Sequence, residues 1–200
     1  MRKGIFVVIE GIDGSGKGTQ SKLLYRWLKK RGYEVFLTKE PTDSKIGRII
    51  REGLKEGKLD PTSEALLFAA DRKQHTTQIS SELERNKVVI SDRYLPSSLA
   101  YQGAHGLDGE WINNINKSAL RPNLLIILDI DPEVAMERVN SRGKKTDYFE
   151  KLDFLKKVRE IYLNHPEGLI VDASRPVDEV HEEIKRIVSR LFKGAPPGQG

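Results

Sequence analysis

The chain has 200 residues, of which 38% are hydrophobic, and its formal net charge is +5. This length suffices for one domain with a proper core and is too short to indicate two independent domains, so we expect one domain. The absence of cysteine excludes disulfides, thiolate metal sites and cysteine nucleophiles, and it fits a reducing compartment.

The first apolar run, from Ile5 to Ile9, follows a basic N-terminus. It is too short for the core of a signal peptide or for a membrane span. We therefore expect a cytoplasmic protein with no membrane partner. Positive and negative charges alternate along the predicted helices, for example at Arg51-Glu52. This alternation is typical of solvated helix faces and argues against a nucleic-acid partner.

Short apolar runs alternate with longer segments of helical period, which predicts strands joined by crossover helices. The predicted strands lie near Ile5 to Glu10, Val35 to Thr38, Val88 to Ser91, Leu124 to Ile130 and Gly168 to Val171. The predicted helices are Lys17 to Lys30, Lys45 to Glu56, Ser63 to Glu84, Gly109 to Ser118, Pro132 to Ser141, Phe149 to Asn164 and Val177 to Phe192. Because most of the strands are apolar throughout, we expect an α/β three-layer domain whose five parallel strands are buried on both faces. This single domain spans residues 1–193, and the tail 194–200 is expected to be disordered.

A glycine-rich loop follows the first predicted strand and precedes an amphipathic helix. Its glycines allow backbone N–H groups to form a nest for phosphate oxygens, and the helix N-terminus adds partial positive charge. A glycine-rich turn of an ordinary doubly wound fold is the alternative. The sequence in this context favours a site for the phosphates of a nucleoside triphosphate, made by Gly11, Ile12, Asp13, Gly14, Ser15, Gly16, Lys17, Gly18 and Thr19.

The loop departs from the strict phosphate-loop pattern, because Gly18 stands where a hydroxyl residue is expected. The hydroxyl arrives one place later, at Thr19, which would have to serve Mg²⁺ or its water shell from a shifted position. Asp13 puts a negative charge inside a phosphate site. It is either a ligand of the second substrate or a residue that stabilises the turn.

Three further groups of residues are candidates for a second substrate or for catalysis. Phe68 and Arg72 share a helix face and could meet one planar ligand, although the spacing alone favours a core phenylalanine and a surface arginine. Asp92 and Arg93 follow a strand at the sheet edge where ligands bind, and they could instead form a structural ion pair. The segment Arg142-Gly143-Lys144-Lys145 is either a basic lid or a solvated loop.

The ordered set of motifs resembles the thymidylate kinases over about residues 5–192. The motifs are Gly-Ile-Asp-Gly-Ser-Gly-Lys-Gly-Thr-Gln, Glu40-Pro41, Leu66-Leu67-Phe68-Ala69-Ala70-Asp71-Arg72, Asp92-Arg93-Tyr94, Ser97-Ser98-Leu99-Ala100-Tyr101-Gln102-Gly103, Leu128-Asp129-Ile130-Asp131-Pro132 and Asp172-Ala173-Ser174-Arg175-Pro176. The segment Gly-Lys-Gly-Thr-Gln alone is equally similar to adenylate kinases.

This resemblance implies the three-layer fold of P-loop nucleoside monophosphate kinases, with a short basic lid at about residues 141–149. It implies transfer of the γ-phosphoryl group of ATP to dTMP, which gives dTDP and ADP. Arg142 and Arg175 would join the glycine-rich loop in binding ATP, and Thr19 and Asp92 would hold Mg²⁺ partly through water. A homodimer formed through helices beside the acceptor site is also implied.

The resemblance further implies the residues that bind dTMP. In such enzymes Asp13 would accept from the 3′-hydroxyl, Ser98 would contact the thymine edge, and Tyr101 would favour deoxyribose. Arg51, or Arg48, is a second candidate for the acceptor phosphate. The full set is Asp13, Arg51, Phe68, Arg72, Arg93, Ser97, Ser98, Tyr101 and Gln102.

The catalytic cations would be Lys17, Arg93 and Arg142. Some thymidylate kinases carry a catalytic arginine in the phosphate loop, but the corresponding position here is Gly14. We therefore expect the lid to supply this charge through Arg142, with Lys144 or Lys145 as substitutes.

Other functions require features that can be checked in the sequence or by assay. A guanine-nucleotide switch would need an Asn-Lys-x-Asp motif, which neither Asn86-Lys87 nor Asn116-Lys117 completes. A nucleic-acid-binding module predicts salt-sensitive DNA affinity. The nearest alternative is another nucleoside monophosphate kinase, acting on AMP, UMP or dUMP.

Overall fold

Five parallel strands form the centre of the fold. The computed structural model describes residues 4–140 and 148–192, and its sheet has the order β2-β3-β1-β4-β5. The strands are β1 (Ile5–Gly11), β2 (Val35–Lys39), β3 (Val88–Asp92), β4 (Leu124–Asp129) and β5 (Gly168–Asp172). All neighbouring strands pair in parallel. The predicted α/β fold with a five-stranded parallel sheet is therefore confirmed.

Burial differs between the centre and the edges of the sheet. The central strands β1, β3 and β4 are buried along almost their whole length, as apolar runs covered on both faces should be. The edge strand β5 leaves Leu169 and Ile170 more than 40% exposed, and β2 is only half-buried. The expectation of strands buried on both faces is thus right for the central strands and wrong for the two edges.

Helices cover the sheet, and all but one of those in the described ranges, Leu95–Ala104, correspond to a predicted helix with similar bounds. They are α1 (Lys17–Lys30), α2 (Lys45–Glu56), α3 (Pro61–Glu84), α4 (Leu95–Ala104), α5 (Gly109–Ile115), α6 (Pro132–Asn140), α7 (Tyr148–Leu163) and α8 (Val177–Ser189), followed by a 3₁₀ turn at Arg190–Phe192. Helix α3 begins earlier than predicted because Asp60 caps it, accepting from the N–H groups of Thr62 and Ser63, and because proline suits the first helical position. Helix α5 ends earlier than predicted, at Ile115.

The strand order brings the carboxyl ends of two neighbouring strands, β1 and β3, together. In the β1–β3 pair, Ile9 lies opposite Asp92, so both strands end side by side. The chain leaves β1 into the glycine-rich loop and leaves β3 into Arg93, whose N–H group donates to the carbonyl oxygen of Ile9 at 3.0 Å. Open α/β sheets bind their ligands at this carboxyl edge.

Four predictions concern larger regions of the chain. Within residues 4–140 and 148–192, no helix has the length and apolar content needed to cross a membrane. Most of the predicted lid, residues 141–147, and the whole of the tail 194–200 lie outside the described residues. The single domain over residues 1–193 stays a prediction.

Candidate active site

The glycine-rich loop links the end of β1 to the start of α1 and depends on backbone conformations that other residues rarely adopt. Gly14 and Gly16 have φ values of 87° and 93°, in the left-handed region that favours glycine. A Cβ atom at Gly14 would also lie 2.3 Å from the carbonyl oxygen of Ala135. Position 14 therefore has no room for a side chain, which excludes an arginine there in this conformation.

Lys17 provides the positive charge of the loop. Its Nζ atom donates to the carbonyl oxygen of Ile12 at 2.8 Å and lies 4.0 Å from Oδ1 of Asp13. Burial and the positive charge of Arg93 lower the pKa of Lys17 to about 8, although Asp13 and Asp92 counteract this. The ammonium group thus contacts one carbonyl oxygen and lies near one carboxylate of the loop, and a phosphate could replace these contacts.

Arg93 is tied to the glycine-rich loop and to α4. Its Nη2 atom donates to Oδ1 of Asp13 at 2.5 Å, and its Nη1 atom donates to Oγ of Ser97 at 2.9 Å. The guanidinium carbon lies 5.0 Å from the ring centre of Tyr101. Desolvation alone would raise the pKa of Asp13, but the charges of Arg93 and Lys17 hold it below its ordinary value. The aspartate paired with Arg93 is therefore Asp13, 80 residues away, and not the neighbouring Asp92.

Asp92 and Thr19 border the cavity above the loop. This cavity has a volume of about 420 Å³ and is lined by Asp13, Gly14, Gly16, Lys17, Gly18, Thr19, Lys22, Lys39, Glu40, Asp92 and Arg93. A Cβ atom at Gly18 would lie 3.2 Å from Oδ2 of Asp92, so the missing side chain keeps this carboxylate accessible. Burial raises the pKa of Asp92, and the charge of Lys17 opposes the rise.

These residues fit a magnesium ion that keeps most of its water. Within the described ranges, no group of three or more His, Cys, Asp or Glu residues could hold a metal ion. Mg²⁺ does not need such a cage, because it commonly binds through one or two protein oxygens, water and substrate phosphates. Asp92 and the exposed Thr19 offer oxygens of this kind.

A second cavity of about 340 Å³ lies next to the first. It is lined by Asp13, Glu40, Pro41, Leu54, Glu64, Phe68, Arg72, Arg93, Ser97, Ser98, Tyr101 and Gln102. All residues predicted to bind dTMP are among them, except Arg51. Asp13, Glu40 and Arg93 line both cavities, so the two sites adjoin at these side chains.

Arg72 forms the buried floor of this second cavity. Its guanidinium group donates to Glu40, Asn116, Ser98 and the carbonyl oxygen of Tyr94, and only 1% of the residue is exposed. The alternative of a surface arginine is therefore wrong. Phe68, one helical turn earlier, is half-buried and lines the cavity, so it is not an ordinary core residue either.

Arg51 holds the loop beside the cavity. Its Nη1 atom donates to the carbonyl oxygens of Pro41 and Thr42, at 3.1 and 2.7 Å, and Nη2 lies 3.6 Å from Oδ1 of Asp43. It is absent from the lining that the described residues form around the second cavity. In this arrangement Arg51 stabilises the loop at residues 41–43. It gives no support to a role of Arg51 as a phosphate ligand.

Arg175 is the remaining predicted cation among the described residues, and it lines neither cavity. Arg175 follows β5 and pairs with Glu183 and with Asp172. The predicted lid residues Arg142, Lys144 and Lys145 lie outside the described residues.

Sequence reasoning gave no role to four residues that line the second cavity. They are Glu40, Pro41, Leu54 and Glu64. Glu40 is the most informative, because it is 4% exposed and its carboxylate accepts from both Arg72 and His75. The signal was available in the Glu40-Pro41 motif after β2, but the sequence did not reveal the partners of this carboxylate.

Comparison with known proteins agrees with this geometry. A model of the thymidylate kinase family matches residues 9–184. A protein of Thermococcus gammatolerans named "Probable thymidylate kinase" is 48% identical, over 94% of this chain and 97% of its own length. Proteins of the same name from Pyrobaculum aerophilum and Archaeoglobus fulgidus are 46% and 42% identical, over 94% of this chain and at least 96% of their own length. The chain belongs to the thymidylate kinase family.

Proposed function

We propose that this protein transfers the γ-phosphoryl group of ATP to dTMP, giving dTDP and ADP. The observation that carries the proposal is the junction of the two cavities, where Asp13 and Arg93 face both. A phosphate loop on one side and an arginine on the other can hold a donor and an acceptor phosphate together. Phosphoryl transfer depends mainly on such positioning and on charge neutralisation.

A coupled ADP-release assay over dTMP, dUMP, UMP, CMP and AMP tests this proposal. The highest kcat/KM is expected for dTMP. A higher value for AMP or UMP would reject thymidylate as the substrate while leaving a nucleoside monophosphate kinase.

The donor side is assigned to the glycine-rich loop. Residues 11–19 would surround the phosphates of ATP with backbone N–H groups, and Lys17 would exchange the carbonyl oxygen of Ile12 for a phosphate oxygen. Arg175 is assigned to the border of the adenine by family resemblance. Asp92 and Thr19 would hold Mg²⁺ through its water shell, and the ion would neutralise charge on the phosphates when bound.

The acceptor side is assigned to the second cavity. Arg93 presents a guanidinium group that could bind the phosphate of dTMP at two points, and Tyr101 lies against this group. Asp13 would then be free to accept from the 3′-hydroxyl. Phe68 offers an aromatic face to the pyrimidine.

The base edge would meet one hydrogen-bond donor and one acceptor at the floor of the cavity. Ser98 accepts from Arg72 at 3.0 Å, which leaves the hydroxyl proton of Ser98 for an oxygen of the base. Gln102 donates to Oε1 of Glu64 at 2.7 Å, and its own Oε1 atom is buried with no hydrogen-bond partner among the described residues. This acceptor suits the N3–H group of thymine after a small movement of the side chain.

The pH dependence of ATP binding should reveal the state of Lys17, whose pKa is lowered to about 8. Below this pH the free protein already carries the ammonium group, so the dissociation constant of ATP should be constant. Above it, binding must take up a proton, and affinity should fall by up to about tenfold per pH unit. Titration calorimetry on both sides of pH 8 measures this. Lys17→Arg, which stays charged, should remove the dependence; its persistence would point to another group.

The lid is proposed to supply a catalytic cation through Arg142. Support comes from position 14, where the close carbonyl oxygen of Ala135 leaves no space for an arginine in the loop. In the variant Arg142→Ala, kcat should fall by about 100-fold, as expected for the loss of one charge on the transferring group.

Steady-state kinetics and dTMP binding together separate a catalytic cation in the lid from a residue that only binds dTMP. The dissociation constant of dTMP should change much less than kcat in Arg142→Ala. Arg186→Ala on the exposed side of α8 is the matched control and should retain wild-type turnover. Wild-type turnover in Arg142→Ala would contradict the assignment.

A homodimer is proposed through helices beside the acceptor site. The proposal rests on the family resemblance, and Ile49 of α2 and Leu66 of α3, each about half exposed, are apolar side chains that such an interface could bury. Sedimentation of the wild type and of Ile49→Glu would separate a dimer that uses this surface from a monomer.

A further inference from the structure

A buried carboxylate is linked through one hydrogen-bonded residue, Ser97, to Arg93 at the junction of the two cavities. Glu10 is the residue before the glycine-rich loop, and it is completely buried. Burial raises its pKa, while Arg93 and several hydrogen bonds oppose the rise. A carboxylate in such a place is costly unless its oxygens are satisfied. Glu10 lines neither of the two cavities, so ligand contact does not account for it.

Glu10 acts as the cap of α4 from a different element. Tyr94 precedes α4 and makes no capping hydrogen bond with its side chain. Instead, Oε1 of Glu10 accepts from the N–H groups of Tyr94 at 2.7 Å and Ser97 at 3.1 Å. A negative charge is favourable at this end of a helix. The bonds fix the first turn of α4 relative to β1.

The same carboxylate is linked to Arg93 in two ways, through the backbone that follows Arg93 and through its guanidinium group. Arg93 immediately precedes the capped residues and has a φ of 73°, a conformation that non-glycine residues adopt only when their surroundings impose it. Oε2 of Glu10 accepts from Oγ of Ser97 at 2.7 Å, and the same oxygen of Ser97 accepts from Nη1 of Arg93 at 2.9 Å. Because an ionised carboxylate can only accept, the hydroxyl proton of Ser97 points to Glu10 and a lone pair stays available for Arg93.

A fourth donor reaches Glu10 from α7. The hydroxyl group of Tyr162 donates to Oε2 at 2.9 Å, and Tyr162 is 2% exposed. The carboxylate therefore receives two N–H groups and two hydroxyl groups, which use about all four of its lone-pair sites. An amide at this position would replace one accepting oxygen with two donors and would leave a buried proton without an acceptor.

We propose that Glu10 is the positioning residue for Arg93: it sets the backbone and the guanidinium group of Arg93 relative to the glycine-rich loop. This inference rests on the proposed binding of the acceptor phosphate by Arg93. Glu10 acts through Arg93 and Ser97 and does not touch the substrates.

Glu10→Gln is the first test, read as separate KM values for the two substrates. The KM for dTMP should rise about tenfold, the size of one lost hydrogen bond to a charged group, and the KM for ATP should stay within about twofold of wild type. A lower KM for dTMP would mean that Glu10 acts only as a negative charge that repels the phosphate. Either that result or equal changes in both KM values would overturn the proposal.

A double-mutant cycle with Arg93→Lys tests whether Glu10 acts through Arg93. In the Arg93→Lys background, Glu10→Gln should raise the KM for dTMP by less than about twofold, because the group that Glu10 positions is already altered. If the two substitutions raised the KM for dTMP independently, so that their factors multiplied in the double variant, the inference would be overturned. Val188→Ala, on the buried face of α8, is the control for a loss of stability alone and should leave both KM values unchanged.

Tyr162→Phe keeps the proposal testable if Glu10→Gln does not fold. It removes one of the four donors to Glu10 without altering either cavity lining. The KM for dTMP should rise about threefold, again with little further effect in the Arg93→Lys background. An unchanged KM, or an independent effect in that background, would overturn the inference. A wild-type protein without dTMP-dependent ADP release would instead reject the proposed function itself.

Discussion

Replacing Lys17 with methionine should lower kcat for ADP release with dTMP by about a thousandfold, the upper range for removing one charged donor from a transferring phosphoryl group. Methionine is unbranched and of similar length, so it can fill the space of a side chain that is only 7% exposed. What it removes is the ammonium group beside the carbonyl oxygen of Ile12. Single-turnover kinetics at saturating ATP would measure the loss in the chemical step.

The control for this prediction is Lys29→Met in the last turn of α1, where the lysine is exposed. It removes the same charge from the same helix, far from the loop, and should keep wild-type kcat. A reduction below about tenfold in Lys17→Met would contradict the assignment of Lys17 to the transferred phosphate.

Arg93→Lys should lower kcat/KM for dTMP by about 100-fold, because lysine keeps the charge but loses the planar fork. In the structure this fork contacts Asp13, Ser97 and the hydroxyl group of Tyr101 at once. A single ammonium group cannot reproduce the three contacts in one geometry. The KM for ATP should change by less than about threefold, since the glycine-rich loop and Lys17 remain.

Arg159→Lys is the matched control for the loss of a two-point arginine contact. Arg159 of α7 donates from two nitrogen atoms to Asp129, at 2.6 and 2.9 Å, and lies outside the linings of both ligand cavities that the described residues form. It should leave kcat/KM for dTMP unchanged. If Arg93→Lys weakened ATP and dTMP equally, the assignment of Arg93 to the acceptor phosphate would fail.

Secondary structure and fold class could be predicted because local patterns carry them. The apolar runs of β1, β3 and β4 and the helical period of the segments between them required no knowledge of distant contacts. Helix α1 begins and ends at the predicted residues. The glycine-rich loop was also recognisable, because its glycines and lysine are consecutive in the chain and flanked by a strand and a helix.

The partners of the charged side chains could not be predicted, because they come from segments far apart in the chain. The sequence alone left open whether Arg72 is a surface charge or contacts a ligand. In the fold it is buried by Glu40, Ser98 and Asn116, which follow β2, lie in α4 and follow α5. Similarly, the sequence placed Asp92 beside Arg93, yet the ion pair forms with Asp13, since β1 and β3 end side by side in the sheet.

Glu10 shows at a single residue how local sequence and distant contacts determine different properties. The chain order reveals only an acidic residue at the end of an apolar strand, and such a residue can cap a helix, pair with a cation or bind a ligand. Its four hydrogen bonds come from Tyr94, Ser97 and Tyr162, up to 152 residues away. Periodicity and spacing act over a few residues and therefore predict the elements and the phosphate loop. The order of the strands and the packing of α4 and α7 determine which charges meet, and these depend on the whole folded chain.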